Sequence, residues 1–364
     1  MSDESETVPS PTANDAGVAF QRIDPVDPAT DATAGAKPNL TVDATVDAKR
    51  DEIDEGLARL DPLTKRPRVS SVLVCIIAGL LLLLAAAGVW WLGVRTAQGQ
   101  NYDDMVFANL DTVMPAAPMA LLRLFTHTYV VIGVSVATGV AAALVTVMRR
   151  RWWLLGQLVL FALLVFAAHM LKYRLPRPVL VNTISNPANS APSGHTLLAA
   201  AAGVALLLAV PRVWRAAAAM YAACLASLVG LAVIVGRWHR PTDVVMALLL
   251  VGGLALLVLA GSRVSGMDAP GSRFSSAGVQ IVASVMITAG VVGIAYASYV
   301  IWQIEPGLEL GARWAIPAAV SSSGVLIVAV CVVVCGLGLA LRQLTAAPLT
   351  RLGLVGAPPA PPTV

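Results

Sequence analysis

Charge is scarce in this chain, and acids are nearly missing from most of it. Asp, Glu, Lys and Arg make up 13% of its 364 residues, where a soluble domain carries about 25%. With 57% apolar residues and a mean hydropathy of +0.76, that deficit excludes an ordinary water-soluble globule. Beyond residue 61 only seven of the 21 acids remain, beside 20 of the 25 bases. An acidic, polar head is therefore joined to a basic, apolar body, and the two are suited to different solvents. There are four cysteines (Cys75, Cys224, Cys331 and Cys335), all inside apolar segments. They are expected to be buried small hydrophobes rather than disulfides. Cys331 and Cys335 stand four apart, half of a metal site, but no further ligand lies near them in sequence. No metal, no cofactor and no nucleic-acid partner are expected.

The first 60 residues lack a basic start followed by an apolar run, so the first apolar segment is expected to be an uncleaved anchor. Residues 1–64 are rich in Asp, Ala, Thr and Pro and are expected to form a disordered cytoplasmic tail. A membrane span needs roughly 20 apolar residues. Eight candidates follow, at about 69–94, 127–148, 152–171, 193–210, 216–236, 243–261, 279–301 and 315–341. The expected fold is an all-α integral membrane protein. A six-span core occupies 65–265, two further spans 266–345, and a Pro/Ala-rich cytoplasmic tail 346–364. Nothing in the sequence sets the oligomeric state.

With the amino terminus placed in the cytoplasm, the inner joints carry Arg149–Arg151, Arg212 with Arg215, Arg263 with Arg273, and Arg342. This follows the positive-inside rule, and all eight tryptophans fall at span ends, as an interfacial belt requires. Two outer joints break the rule. One carries Lys172, Arg174 and Arg177, the other Arg237 and Arg240. Cations held on the wrong side point to an anionic ligand. The outer loop after the first span holds Asp103, Asp104 and Asp111, of which Asp103 and Asp104 are read as solvated.

Between those two basic joints lies Asn189–His195, Asn-Ser-Ala-Pro-Ser-Gly-His. Pro192 suits the first position of a helix. Ser193 and Gly194 would then fall in a first turn whose free N–H groups bind phosphate-like anions, with His195 one step in. The second run, His239-Arg-Pro-Thr-Asp243, starts a helix at Pro241. A carboxylate four residues beyond His239 can hydrogen-bond one ring nitrogen and leave the other as a nucleophile. His127 and His169 lack such neighbours, although His169 stands one turn before Lys172.

These motifs resemble the type 2 phosphatidic acid phosphatase and vanadium haloperoxidase superfamily. Its signature is a Lys leading to Arg-Pro (Lys172, Arg177-Pro178), then Pro-Ser-Gly-His (Pro192–His195), then an Arg leading to His with Asp four residues on (His239, Asp243). The resemblance covers roughly 120–262. It implies that His239 attacks phosphorus, that Asp243 orients His239, and that His195 protonates the leaving oxygen and then activates water. It implies that Lys172, Arg177, Ser193 and the Gly194 N–H hold the phosphoryl oxygens without metal. Two spacings depart from the pattern. Four residues rather than six separate Lys172 from Arg177, and the third-motif Arg position holds Val233. Arg237, one helical turn beyond Val233, is expected to supply the missing cation, with Arg240 and then Arg174 behind it.

The resulting expectation is a multi-pass plasma-membrane phosphatase with both termini cytoplasmic and its site extracytoplasmic. It would hydrolyse a lipid phosphate or diphosphate: polyprenyl phosphate or diphosphate, phosphatidate or phosphatidylglycerophosphate. The partners are the bilayer and the lipid phosphate substrate. Alternatives are a lipid phosphotransferase using the same phosphohistidine and a non-catalytic lipid-binding membrane protein.

Overall fold

The computed structural model describes residues 69–182, 184–185, 187–262 and 274–346, with residues 274–277 described by backbone alone. The expected tails over 1–64 and past Ala346 lie outside the described residues, as do Arg263 and Arg273. Among the described residues all regular structure is helical.

Alanine, leucine and valine runs without interior proline give the long elements. These are α1 (Val69–Val94), α4 (Thr128–Met148), α5 (Trp152–His169, extended by a 3-10 turn Met170–Tyr173), α7 (Arg215–Val235) and α8 (Pro241–Ala260). Two longer helices follow, α9 (Phe274–Glu309) and α10 (Ala315–Ala346). All seven are long and apolar enough to cross a membrane. Between α5 and α7 stands α6 (Gly194–Ala209). Its 16 residues rise about 24 Å, short of the roughly 30 Å of a hydrocarbon core. Helices α1 and α4 to α10 stand where the eight apolar runs place spans, so the chain is an all-α, multi-pass membrane protein.

The segment between α1 and α4 is not a loop. It forms α2 (Ala97–Val113) and α3 (Ala116–Leu124), bent by 110° at Met114–Pro115. Tyr102, Val106 and Leu110 lie at i, i+4 and i+8 and are buried along one stripe of α2. The polar majority of α2 obscures that stripe when hydropathy is averaged over a window.

Helix α8 is the centre of the bundle. Over its most apolar 18 residues 83% are buried, against 17% for α1, whose side chains mostly face outward. The two helices meet closely at Gly79 and Gly253, where a Cβ on Gly253 would stand 2.9 Å from the Gly79 carbonyl oxygen. Helix α10 is not peripheral, since it packs on α2, α7 and α8 and is buried along most of its length. At the end of α6 away from the motifs, Arg149 Nη1 and Arg342 Nε donate to the carbonyls of Ala209 and Leu208, at 2.9 and 3.2 Å. Cations suit a helix C-terminus. Cys75, Cys331 and Cys335 are buried as expected, whereas Cys224 is exposed on the outer side of α7.

Candidate active site

The starts of α6 and α8 bring the two histidine motifs together at one end of the bundle. Helix α6 begins two residues later than the proline suggested: Ser193 is the N-cap and Gly194 the first helical residue. Pro192 lies outside the helix, following a cis peptide bond with Ala191. Ser193 is fully buried; its Oγ accepts from Thr196 N and Thr196 Oγ1, and its own N–H donates to the Asp243 carbonyl at 3.0 Å. That last bond ties the Pro-Ser-Gly-His run directly to the start of α8. Gly194 lies close against His169: a Cβ there would stand 2.9 Å from that ring, which would have to shift.

Helix α8 starts as the sequence suggests, with Arg240 as N-cap and Pro241 at the first position. Asp243, fully buried at the third position, closes the cap by accepting the Arg240 N–H at 3.0 Å. The same Oδ2 faces His239 Nδ1 at 3.3 Å and accepts the hydroxyl of Ser190. Oδ2 is placed to accept from Nδ1, the contact that suits the tautomer with Nε2 as the acceptor nitrogen. His195 is half-buried, its ring tilted against Trp238 with centroids 4.9 Å apart.

Lys172, Gly194, His195 and His239, together with His169, line one end of a cavity of about 820 Å³. Apart from Ser135 the remaining wall is apolar and comes from α4, α5 and α6, including Val140, Leu158, Phe161 and Ala201. Asp243, Ser193 and Arg240 are outside that wall but bonded to residues within or next to it. Arg177 sits on the loop after α5. Its two terminal guanidinium nitrogens are buried with no hydrogen-bond partner. Burial, and after it the neighbouring Arg240 charge, hold Arg177 below the ordinary range of a guanidinium, opposed by Asp103, Asp243 and Asp104. Two guanidinium groups are thus kept close together, an arrangement an anion would stabilise.

The two candidate third cations separate clearly. Arg240 is buried, with Nε donating to Ser185 Oγ at 2.8 Å and Nη1 to Ser190 Oγ at 3.0 Å. Arg237 turns elsewhere. Helix α7 ends at Val235 and Arg237 adopts φ +60°, so the helical phase that related it to Val233 does not apply. It pairs with Asp111 at 3.2 Å, donates to the Ala108 carbonyl and lies over the Phe107 ring. Arg174 is exposed.

Residues not singled out from sequence complete the site. Gln100 Nε2 donates to the Pro178 carbonyl at 2.7 Å, and its Oε1 accepts from Leu180 N at 3.3 Å. Asp104 accepts from the backbone N–H groups of Ile184 and Ser185. Asp103, fully buried, accepts from Thr242 N at 3.1 Å and Thr242 Oγ1 at 2.9 Å. Burial, then the charge of Asp243, push Asp103 up to about 7, against the lowering effect of the Thr242 bonds and Arg240. Asp103 and Asp104, read as solvated, therefore face the motif segments, and Asp103 is the more buried of the two. Their signal was present: Gln100, Asp103 and Asp104 fall at i, i+3 and i+4, a polar stripe on a helix. Among the described residues no three His, Cys, Asp or Glu side chains are grouped as a metal site requires.

Residues 153–265 match the PAP2 superfamily. The chain carries a PAP2 segment. That segment holds every motif residue from Lys172 to Asp243 and supports a phosphatase-type function in general terms. Helices α1 to α4, α9 and α10 lie outside the PAP2 match, and with them the α2 residues that bond to the motif loops. No curated protein and no solved structure gives a match.

Proposed function

We propose that the chain is a membrane lipid phosphatase that works through a phosphohistidine, with its site on the extracytoplasmic side. The observation that carries this reading is the lining of the cavity. Lys172, His169, Gly194, His195 and His239 form its polar end. Its apolar body reaches Ile132, Val136, Val140, Val159 and Phe166, side chains that face outward where lipid would lie. A phosphorylated headgroup fits the first and a hydrocarbon chain the second.

In this reading His239 Nε2 attacks phosphorus while the bond from phosphorus to the lipid oxygen breaks. His195 gives its proton to that leaving oxygen. Asp243 keeps Nδ1 protonated and stabilises the charge that develops on the ring. Water, deprotonated by His195, then attacks the phosphohistidine and releases phosphate, restoring both rings. Lys172, Arg177, Arg240 and the first-turn N–H groups of α6, beginning with Gly194, stabilise the phosphoryl oxygens, the main demand of phosphoryl transfer. No metal enters these steps. Substrates are lipid monophosphates or diphosphates: polyprenyl, phosphatidate or phosphatidylglycerophosphate.

The orientation rests on the arginines at the end of α6 away from the motifs, which a cytoplasmic face would retain. The deciding experiment is phosphate release by purified protein from a panel of these lipids with chelator present. Release from at least one lipid that persists with chelator is expected. No release from any of them, or release abolished by chelator, contradicts the reading.

A further inference from the structure

Asp103 is buried, ionisable and outside the PAP2 match, and none of the steps above uses it. Its Oδ1 takes both donors of Thr242, the backbone N–H and the hydroxyl. Thr242 is the residue between Arg240 with Pro241 on one side and Asp243 on the other. The chain leaves room for this contact: a Cβ on Gly93 would stand 2.1 Å from Thr242 Oγ1. The flanking residues of α2 add to the same grip. Asp104 holds Ser185, whose Oγ accepts from Arg240, and Tyr102 Oη bonds the Ala319 carbonyl and Ser322 of α10 at 3.1 and 3.0 Å. Helix α2 is thus fixed to α10 on one side and to the start of α8 on the other.

We infer that Asp103 is a positioning residue for phosphoryl transfer: by holding both donors of Thr242 it sets the first turn of α8, and so the placement of His239, Arg240 and Asp243. This rests on the lipid phosphatase reading. Two neutral donors on one carboxylate oxygen fix Thr242 in both backbone and side chain. Removing the carboxylate frees the turn that carries the nucleophile's orienting group. A displacement of the order of 1 Å in such a turn costs about 100-fold in rate.

The test is a double-mutant cycle in the full-length protein with the best lipid of the panel. Asp103→Ala is expected to lower kcat about 10- to 100-fold with KM little changed, the pattern of a group that acts on the transition state rather than on uniform binding. Asp103→Asn keeps an oxygen that accepts both Thr242 donors and is expected to recover most of kcat. Thr242→Val is expected to lower kcat alone but to add little in the Asp103→Ala background, since residues sharing one interaction are not additive. Melting temperature is followed for each variant. An Asp103→Ala protein with unchanged kcat overturns the inference, as does independent multiplication of the two losses or an Asp103→Asn as impaired as Asp103→Ala. Should Asp103→Ala not fold, Thr242→Val in wild-type and Asp103→Asn backgrounds carries the test: unchanged kcat in both overturns it. A wild-type protein inactive on every lipid refutes the phosphatase reading instead, so the two failures are distinct.

Discussion

Arg240 reaches Ser190 across 50 positions of sequence, Nη1 to Oγ at 3.0 Å, and the Ser190 hydroxyl donates in turn to Asp243 Oδ2. One serine thereby links the loop before α6 to both the buried cation and the buried carboxylate at the start of α8. The consequence is a ranking of the basic residues. Arg240→Gln is expected to lower kcat by about 100- to 1,000-fold, the range for losing one donor aimed at developing charge. Arg237→Gln breaks part-exposed contacts with Asp111, the Ala108 carbonyl and the Phe107 ring, and its effect on stability is expected to be about 1 kcal/mol, with kcat near wild type. Steady-state kinetics of the two variants check this, and a larger kcat loss in Arg237→Gln reverses the assignment.

The cavity makes a second prediction, about chain length. Gly139 lines the apolar part, and a Cβ added there meets nothing within 4 Å. Gly139→Phe is expected to place a ring where the lipid chain lies while adding helix propensity to α4. Turnover of a long-chain lipid phosphate should fall, while a short water-soluble phosphomonoester should be hydrolysed as by wild type. Equal losses on both substrates, measured side by side, would mean that the chain lies elsewhere.

Asp103 gives a pH dependence of stability. Its carboxyl is raised from 3.8 to about 7, first by burial and then by Asp243, with Arg240 and Thr242 opposing. A carboxyl raised in the folded state binds its proton more tightly there than in the unfolded chain. Its stabilising effect is complete below pH 3.8 and is lost as pH rises through about 7. Wild type in detergent is therefore expected to lose melting temperature between pH 5 and 8 relative to Asp103→Asn, which has no such proton. Parallel melting curves for the two proteins across that interval would show that Asp103 does not titrate there.

Much of this was legible in the sequence because the membrane simplifies the signal. Apolar runs alone marked α1 and α4 to α10, and Pro241 with Asp243 marked the start of α8. What stayed hidden depended on amphipathic or irregular backbone. Helix α2 pairs a narrow buried stripe, Tyr102, Val106 and Leu110, with many polar residues, so its average reads as loop. Arg237 was placed by extending the α7 phase past Val235, which fails once φ changes sign. Ser185 and Ser190 lie on an irregular segment whose contacts are set by tertiary packing, and no periodicity announces them. The depth of α10 was equally invisible, since a lipid-facing and a protein-facing span have the same composition.

The central claim is that His239 carries the phosphoryl group, and it is tested most directly by trapping. The protein is mixed with a lipid labelled in its terminal phosphate, quenched in base within the first turnover, and read for acid-labile label on histidine. The account predicts label on His239 in wild type, accumulation of that label in His195→Ala once formed, and none in His239→Ala. Full phosphate release by His239→Ala, or label on any other residue, would contradict it.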